Sequence, residues 1–392
     1  MHSPSAMITP KEIYGYASAA LGPYLDWQDH GPKCSVATLL HLLFYAASQL
    51  CSLAAACGRL RDAPSDQAAR DALVAQCGDT ERVERQLNEG FAAQLPRAVK
   101  KQRRWRLAID LNLRPYHGQA HRDVKEIYRG QAKSGTTHFH AYATCYLVKR
   151  GRRYTVALTR VEQGTPMPAV LKRLLRRAAK VGIRPRLLLL DRGFYSVDVI
   201  RYLQAARYPF LMPVVIQGRK AEHPKGPGGT RVFSLQKRSG WAEHTLQNGA
   251  KRKARVTICI HCRNWQGQRK RHGRQTLVYA VWGITPKRTQ WVYETYRLRF
   301  GIETSYRQLN EACIKTTTRN PTLRLLFVGI ALMLRNLWVW IHWCCLATPR
   351  RGGRRLNLDK FRFRTLLMWL THRAEQRFGI NDVVVCERLH FE

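Results

Sequence analysis

The chain has 392 residues, 45% of them hydrophobic, enough to bury more than one core, so an extended polar tail is excluded and two or three domains are expected. Lys and Arg number 67 against 26 Asp and Glu, a net charge of +41 that excludes a polycationic partner and points to a polyanion. The 11 cysteines fall at irregular spacings, an odd number that reads as reduced thiols rather than a disulfide framework.

The start, MHSPSAMITPKEIYGYA, shows no basic stretch followed by an apolar run, so no secretory signal is expected and the cytoplasm is the default location. Residues 35–60, rich in Ala and Leu with no Gly before Gly58, predict helix throughout, and a second helical stretch follows Asp62-Ala-Pro-Ser-Asp. Residues 1–100 are therefore expected to form a helical domain, serving either packing and dimerisation or the binding of DNA. At Val99 the chain turns basic and enters RLAIDLNL, where Leu107, Ile109, Leu111 and Leu113 alternate with Ala108, Asp110 and Asn112, the period of a strand. Strands around 138–148 and 154–161 flank the basic turn at 149–152 and predict a hairpin. Val170, Leu171, Leu174, Leu175 and Ala178 then recur at helical spacing, and the short apolar run RLLLLD ends at Asp191. A helix feeding a continuously apolar strand is the signature of a buried parallel strand. A helix over 196–206 and a strand over 208–215 complete a β-β-β-α-β-α-β order.

Between Pro213 and Thr289 the pattern changes to RVFSLQ, KARVTICIHC and QTLVYAVWGI, read as short strands separated by Gly-rich and basic turns. Helical signal returns at Gln290 and runs, with breaks near Pro321 and at RRGGRR, to about Phe378. Leu325 to Ala347 is long enough to span a bilayer but contains Arg335, Asn336 and His342. A central Arg costs at least about 2.5 kcal/mol there, so a buried core helix that gives Arg and Asn partners is the expected reading.

Three carboxylates draw attention. An Asp among apolar residues on a central strand is costly unless something positive lies beside it. Asp110 sits within the first strand and Asp191 at the C-terminal end of the parallel strand, where open α/β sheets place their active sites. Each alone is also compatible with a cap or a core ion pair. The third is Glu303, in YETYRLRFGIETSYRQLNEACIK. At about 100° per residue from Tyr296, Arg299, Glu303 and Arg307 fall on one open face. Leu298, Ile302 and Leu309 fall on a packed one, and a simple Glu303 to Arg307 surface pair fits the same spacing. Cys259 and Cys262 have zinc-like spacing without a second pair, and His117, His121, His138 and His140 near the first strand read as loop or substrate contacts rather than ligands. Trp241, Trp265 and Trp282 suit hairpin packing, with base stacking as the sharper alternative.

Asp110 in a strand, Asp191-Arg-Gly-Phe-Tyr195 after a parallel strand, and Tyr296-x2-Arg299-x3-Glu303 on a helix resemble the DDE transposases of the insertion-sequence-four family, over roughly residues 105–340. The resemblance implies an α/β fold, a ribonuclease H-like mixed sheet flanked by helices, interrupted by a β-rich insertion and preceded by an all-α N-terminal domain. The corresponding segments are 1–100, 101–212, 213–289, 290–345 and a basic helical region over 346–392. It implies Asp110, Asp191 and Glu303 as catalytic residues and ligands of two Mg²⁺ ions, with Mn²⁺ able to substitute, and Tyr296, Arg299, Arg307, Arg192 and Lys315 as DNA contacts. Cleavage of duplex DNA at element ends and strand transfer into a target follow, carried out by a homodimer in the prokaryotic cytoplasm, at the nucleoid, with no nucleotide cofactor and no membrane partner. The absence of a Gly-x4-Gly-Lys-Ser/Thr loop agrees with the lack of a nucleotide requirement. The family signature places a Lys seven residues after the Glu, where this chain has Asn310, leaving Arg307 and Lys315 as candidate replacements. Two other readings stay open: a nuclease of the same core that cuts without joining, and a DNA-binding derivative that has lost catalysis.

Overall fold

The structure, a computed structural model, describes residues 8–149, 153–266, 272–351 and 353–381; for Trp265, Gln266, 302–305, His272 and Gly353 it describes the backbone alone. The chain folds as two compact units, one formed by residues 1–96 with 305–392 and the other by residues 97–304.

In chain order, five helices come first: α1 (Pro10–Leu25), α2 (Val36–Ser48), α3 (Leu53–Arg59), α4 (Asp66–Cys77) and α5 (Thr80–Gln94). Each starts on a capping side chain. Thr9 and Glu12 form a reciprocal box on α1, while Ser35, Ser52, Ser65 and Asp79 accept from the first turns of the others. The stretch expected to be helical over 35–60 breaks between α2 and α3, where Leu50 takes a φ of 52°. A short α6 (Arg97–Lys101) leads into the second unit: β1 (Arg104–Pro115), β2 (Tyr128–Lys133), β3 (Thr136–Leu147), β4 (Thr155–Val161), α7 (Met167–Lys180), β5 (Arg184–Leu190), α8 (Val197–Ala205) and β6 (Phe210–Pro213). There follow α9 (Arg231–Ser234), β7 (Gly240–Gln247), β8 (Lys253–Gln266), β9 (His272–Trp282) and α10 (Thr289–Arg297). Last come α11 (Gly301–Asn310), through which the boundary between the units passes, α12 (Pro321–Ile341), β10 (Thr348–Arg350), β11 (Gly353–Arg355) and α13 (Phe363–Phe378).

Among the described residues, nine strands of the 97–304 unit form one mixed sheet in the order β2-β3-β1-β5-β6-β9-β8-β7, with β4 sharing the outer edge of β3. β4, β3 and β1 run antiparallel, and β5 and β6 are parallel to β1, the ribonuclease H-like order. The two parallel strands are bought into register by crossover helices: α7 buries Val170, Leu171, Leu174, Leu175 and Ala178 against the sheet, and α8, capped by Ser196, buries Val199, Ile200 and Leu203. The β-rich segment extends this sheet rather than forming a layer of its own, because β9 pairs antiparallel with β6 and carries β8 and β7 outward. Within it, RVFSLQ is not a strand. The buried Thr230 hydroxyl donates to the Val215 carbonyl and accepts from the Gln217 amide, which closes the preceding Gly-rich loop and turns the chain into α9.

The other unit is helical. Its axis is α12, almost wholly buried among α5, α1, α2, α4 and α13. The 18-residue window apolar enough to cross a membrane is 94% buried inside the protein. Its polar residues are engaged as the sequence requires: Arg335 Nε donates to Gln308 Oε1 at 3.3 Å, and the indole of Trp338 donates to the Phe361 carbonyl at 2.9 Å. Gln94 Nε2 on α5 donates to the Met333 carbonyl at 3.0 Å.

α5 and α12 approach closely because each carries a glycine at the crossing. A Cβ on Gly329 would lie 2.4 Å from Leu87 Cδ1, and one on Gly90 would lie 2.6 Å from Met333 Cε. Gly15, on the exposed side of α1, has nothing within 4 Å of the same position. The same substitution should therefore change stability with opposite sign at the two sites. Gly15→Ala is expected to stabilise by about 0.5–1 kcal/mol through reduced chain entropy, whereas Gly329→Ala is expected to cost about 1–3 kcal/mol through overpacking. Chemical denaturation of the two variants checks this, and a stabilised Gly329→Ala would contradict the close crossing.

Candidate active site

The site is built where the parallel pairing of β1 and β5 ends, inside β1 and at the C-terminal end of β5. β1 and β5 run in a register that pairs Ile109 with Leu190, so the next residues, Asp110 and Asp191, come side by side. Asp110 is held inside β1, nearly buried, with the Leu111 amide donating to its Oδ1 at 2.9 Å. Asp191 has left the ladder: its backbone is extended, it leads directly into the single 3₁₀ turn Arg192–Phe194, and its carboxylate is half-exposed. Strand alternation and a turn thus give two neighbouring acids different solvation.

The positive group between them is Arg299. One of its terminal nitrogens, Nη2, lies 3.2 Å from Asp110 Oδ1 and 3.3 Å from Asp191 Oδ1. This side chain is buried, contrary to the open face expected of it, because the face of α10 that packs on the sheet is the one carrying Val292, Tyr293 and Tyr296, and Arg299 continues that face. α10 ends at Arg297, a 3₁₀ turn occupies Leu298–Phe300, and α11 restarts at Gly301. Across the turn Arg299 stays on the buried face of α10. Leu298 and Phe300 point outward, 37% and 47% exposed, while Arg299 and Tyr296 turn inward. Tyr296 packs against Tyr279 of β9 at 5.2 Å between ring centroids and carries the Arg299 guanidinium 5.9 Å over its own ring. Burial drives its phenol pKa upward, so its role here is packing under the guanidinium. On the same helix Tyr293 stacks on His261 of β8 at 5.0 Å, fixing α10 to the sheet. The Arg153 guanidinium occupies the place a Cβ on Gly301 would take and donates to the Gly301 carbonyl at 3.3 Å.

Burial raises the Asp110 pKa to about 6; Arg299 and the Leu111 amide pull it down, and the charge of Asp191 adds to the rise. A carboxylate held in this state gains from a further cation. Both acids offer hard oxygen donors that converge on one point, the chemistry that suits a divalent ion such as Mg²⁺. No cluster of three or more potential ligands occurs among the described residues. Glu303 lies in α11, two residues after Gly301 and four after Arg299, and its side chain falls outside the described residues. Arg192 is exposed directly after Asp191, and Arg307 and Lys315 are exposed on the helical unit.

The weaker signals resolve without a site. Cys259 and Cys262 stand three apart on β8 and so face opposite sides, Cys259 buried and Cys262 engaged with Thr276 and the Gln236 carbonyl. Trp282 stacks on Phe210, Trp241 is exposed on β7, and the Trp265 side chain lies outside the described residues. His140 is buried with its ring edge toward Tyr116.

The sequence matches the family described as Transposase DDE domain over residues 101–337. No curated protein matches it. Among solved structures it is similar to the piggyBac transposase in a synaptic complex with hairpin DNA, at 13% identity and a TM-score of 0.49, covering 97% of this chain and 84% of that one.

The Arg299 bridge makes a prediction about pH. The folded-state pKa of Asp110, about 6, exceeds its unfolded value, so its contribution to stability is fully present below about pH 4 and is lost as pH rises through 6. A shift of that size corresponds to roughly 2–3 kcal/mol. In metal-free protein Asp110→Asn should therefore gain stability over the parent as pH rises from about 4 to about 8. Denaturation with a chelator present measures the difference, and a constant gap between the two proteins would refute it. Arg299→Met should behave in the opposite sense, losing most at the alkaline end, where both acids are ionised without their shared cation.

Proposed function

Because the chain belongs to the family of transposase DDE domains, we propose that it is a transposase of the insertion-sequence-four type, cutting DNA at the ends of its element and joining those ends to a target. The observation that carries this reading is the convergence of Asp110, inside β1, and Asp191, just past β5, on a single buried arginine. With Glu303 they form an acid triad. DDE domains generally use divalent metal ions, and on this reading Asp110, Asp191 and Glu303 hold two Mg²⁺, for which Mn²⁺ substitutes. When bound, such ions stabilise charge on the attacking and departing oxygens of an in-line displacement at phosphorus.

The protein's own groups do the rest. The Asp110 carboxyl must be ionised to act as a ligand, and burial holds its proton until pH rises past about 6, so activity should fall on the acidic side. Arg299 neutralises the acid pair in the metal-free protein; once other cations take over that role, the same guanidinium is available to a phosphate oxygen. Tyr296 keeps it in place from below. The signature Tyr296-x2-Arg299-x3-Glu303 thus acquires a division of labour: platform, cation and ligand. Arg192, Arg307 and Lys315 are proposed to bind the DNA backbone, the latter two in place of the signature lysine that Asn310 replaces. The helical residues 1–100 are proposed to bind element ends or a second copy, and duplex DNA and a homodimer are the partners. The site of action is the cytoplasm.

Incubation with Mg²⁺, the DNA flanking its own gene and a target plasmid tests the reading, with joined products expected and nicks alone favouring a nuclease. Asp110→Asn, Asp191→Asn and Glu303→Gln should each abolish cleavage while leaving duplex affinity within about threefold of the parent, since affinity rests on the basic surface and its counterions. Cleavage retained by a folded variant would remove that residue from the metal site.

A further inference from the structure

A second cleft opens in the sheet-bearing unit, about 440 Å³ in volume, away from the acids. Arg106 of β1 and Arg186 of β5 form one wall; the segment Ile284–Arg288 and Trp291 of α10 form the other. Arg106 precedes Asp110 by four residues on the same strand, about 13 Å at the usual rise, and the fully buried Ala108 lies between them, so the two sites are separate. Among the described residues no acid lines this cleft. Arg106 is half-buried, and both burial and the charge of Arg186 weigh against its protonated form, a repulsion that a bound anion would relieve. Arg288 is the N-cap of α10 and supplies no side-chain cap, so the positive end of that helix is directed at the same place. Trp291, in the first turn, is 37% exposed, a flat aromatic surface among cations.

Clustered cations without acids fit phosphate groups, and an open indole beside them fits a nucleobase that is not stacked on a partner. We propose that this cleft binds an unpaired DNA strand, its phosphates on Arg106, Arg186, Lys287 and Arg288 and a base on Trp291. The site rests on the reading of the chain as a DNA-processing enzyme and adds to it a second hold on the substrate, outside the carboxylates. The net charge of +41 favours a polymer over a free nucleotide, since it contributes to affinity at every phosphate along a strand.

Lys287, Arg288 and Trp291 are exposed, so their removal does not threaten folding. The test uses a fluorescein-labelled oligothymidylate and reads binding by anisotropy over a range of salt. The double variant Lys287→Gln, Arg288→Gln is compared with Lys237→Gln, Arg238→Gln, which removes two exposed charges from the loop before β7. The cleft pair should lower the slope of log K against log salt by about 1.4, the value for two single-strand phosphates, and the control pair should leave it near that of the parent. Trp291→Ala should weaken binding by about fivefold or more. A cleft pair indistinguishable from the control, or a Trp291→Ala protein that binds like the parent, overturns the proposal. So does thymidine monophosphate that competes at concentrations matching the oligonucleotide, which would make the cleft a pocket for free nucleotides. Cleavage of the DNA flanking the gene by the parent protein is scored alongside. If the parent cuts no DNA, the functional reading fails, whereas if it cuts and the cleft variants bind unchanged, only the cleft assignment fails.

Discussion

Two carboxylates and one guanidinium set the terms for the sheet-bearing unit. Asp110 and Asp191 are brought together by strand register, and like charges so placed, one of them nearly buried, would strongly oppose folding if left alone. The Nη2 atom of Arg299 offsets both at once. A bridge of this kind contributes little net stability, because desolvating three charges consumes most of their attraction, but losing one member leaves the others uncompensated. Its effect is specificity: α10 and the turn after it are tied to the ends of β1 and β5 rather than to any other part of the sheet.

The rest of the unit serves that placement. Crossover helices α7 and α8 allow β5 and β6 to run parallel to β1, which brings the end of β5, and with it Asp191, beside Asp110. The antiparallel extension through β9 and β8 then provides the surface on which α10 is seated, by Tyr279 against Tyr296 and His261 against Tyr293. A segment that looks like an interruption in the sequence is therefore part of the support for Arg299.

The acids were legible because their sequence context is extreme. A single charge within RLAIDLNL and another closing RLLLLD stand out against apolar surroundings, and the strand periods around them are strong. The orientation of Tyr296 and Arg299 was not legible, since a wheel that places polar and aromatic residues on one face and Leu298 and Ile302 on the other does not say which face the sheet covers, and here the sheet covers the face of Val292, Tyr293 and Tyr296. β2 and β7 escaped notice because they are polar and largely exposed, so that their pairing with β3 and β8 decides their conformation. RVFSLQ failed in the other direction: its alternation suits a strand, but the loop closed by Thr230 leaves it no partner to pair with. The basic cleft was invisible because Arg106, Arg186 and Arg288 are far apart in the chain and their assembly depends on the parallel register of β1 and β5.

The turn at Leu298–Phe300 sets its neighbours pointing in opposite directions, two apolar side chains outward and one charge inward. Its chemistry is thus loosely specified at the outer positions, while its length is rigidly specified. Replacing Leu298 alters mainly what solvent meets, whereas Phe300 also sets its ring edge-on against Tyr296. Inserting or deleting a single residue would swing the guanidinium away from the acids and present an apolar side chain to them, so divergence at this point is free to change letters but not to change spacing.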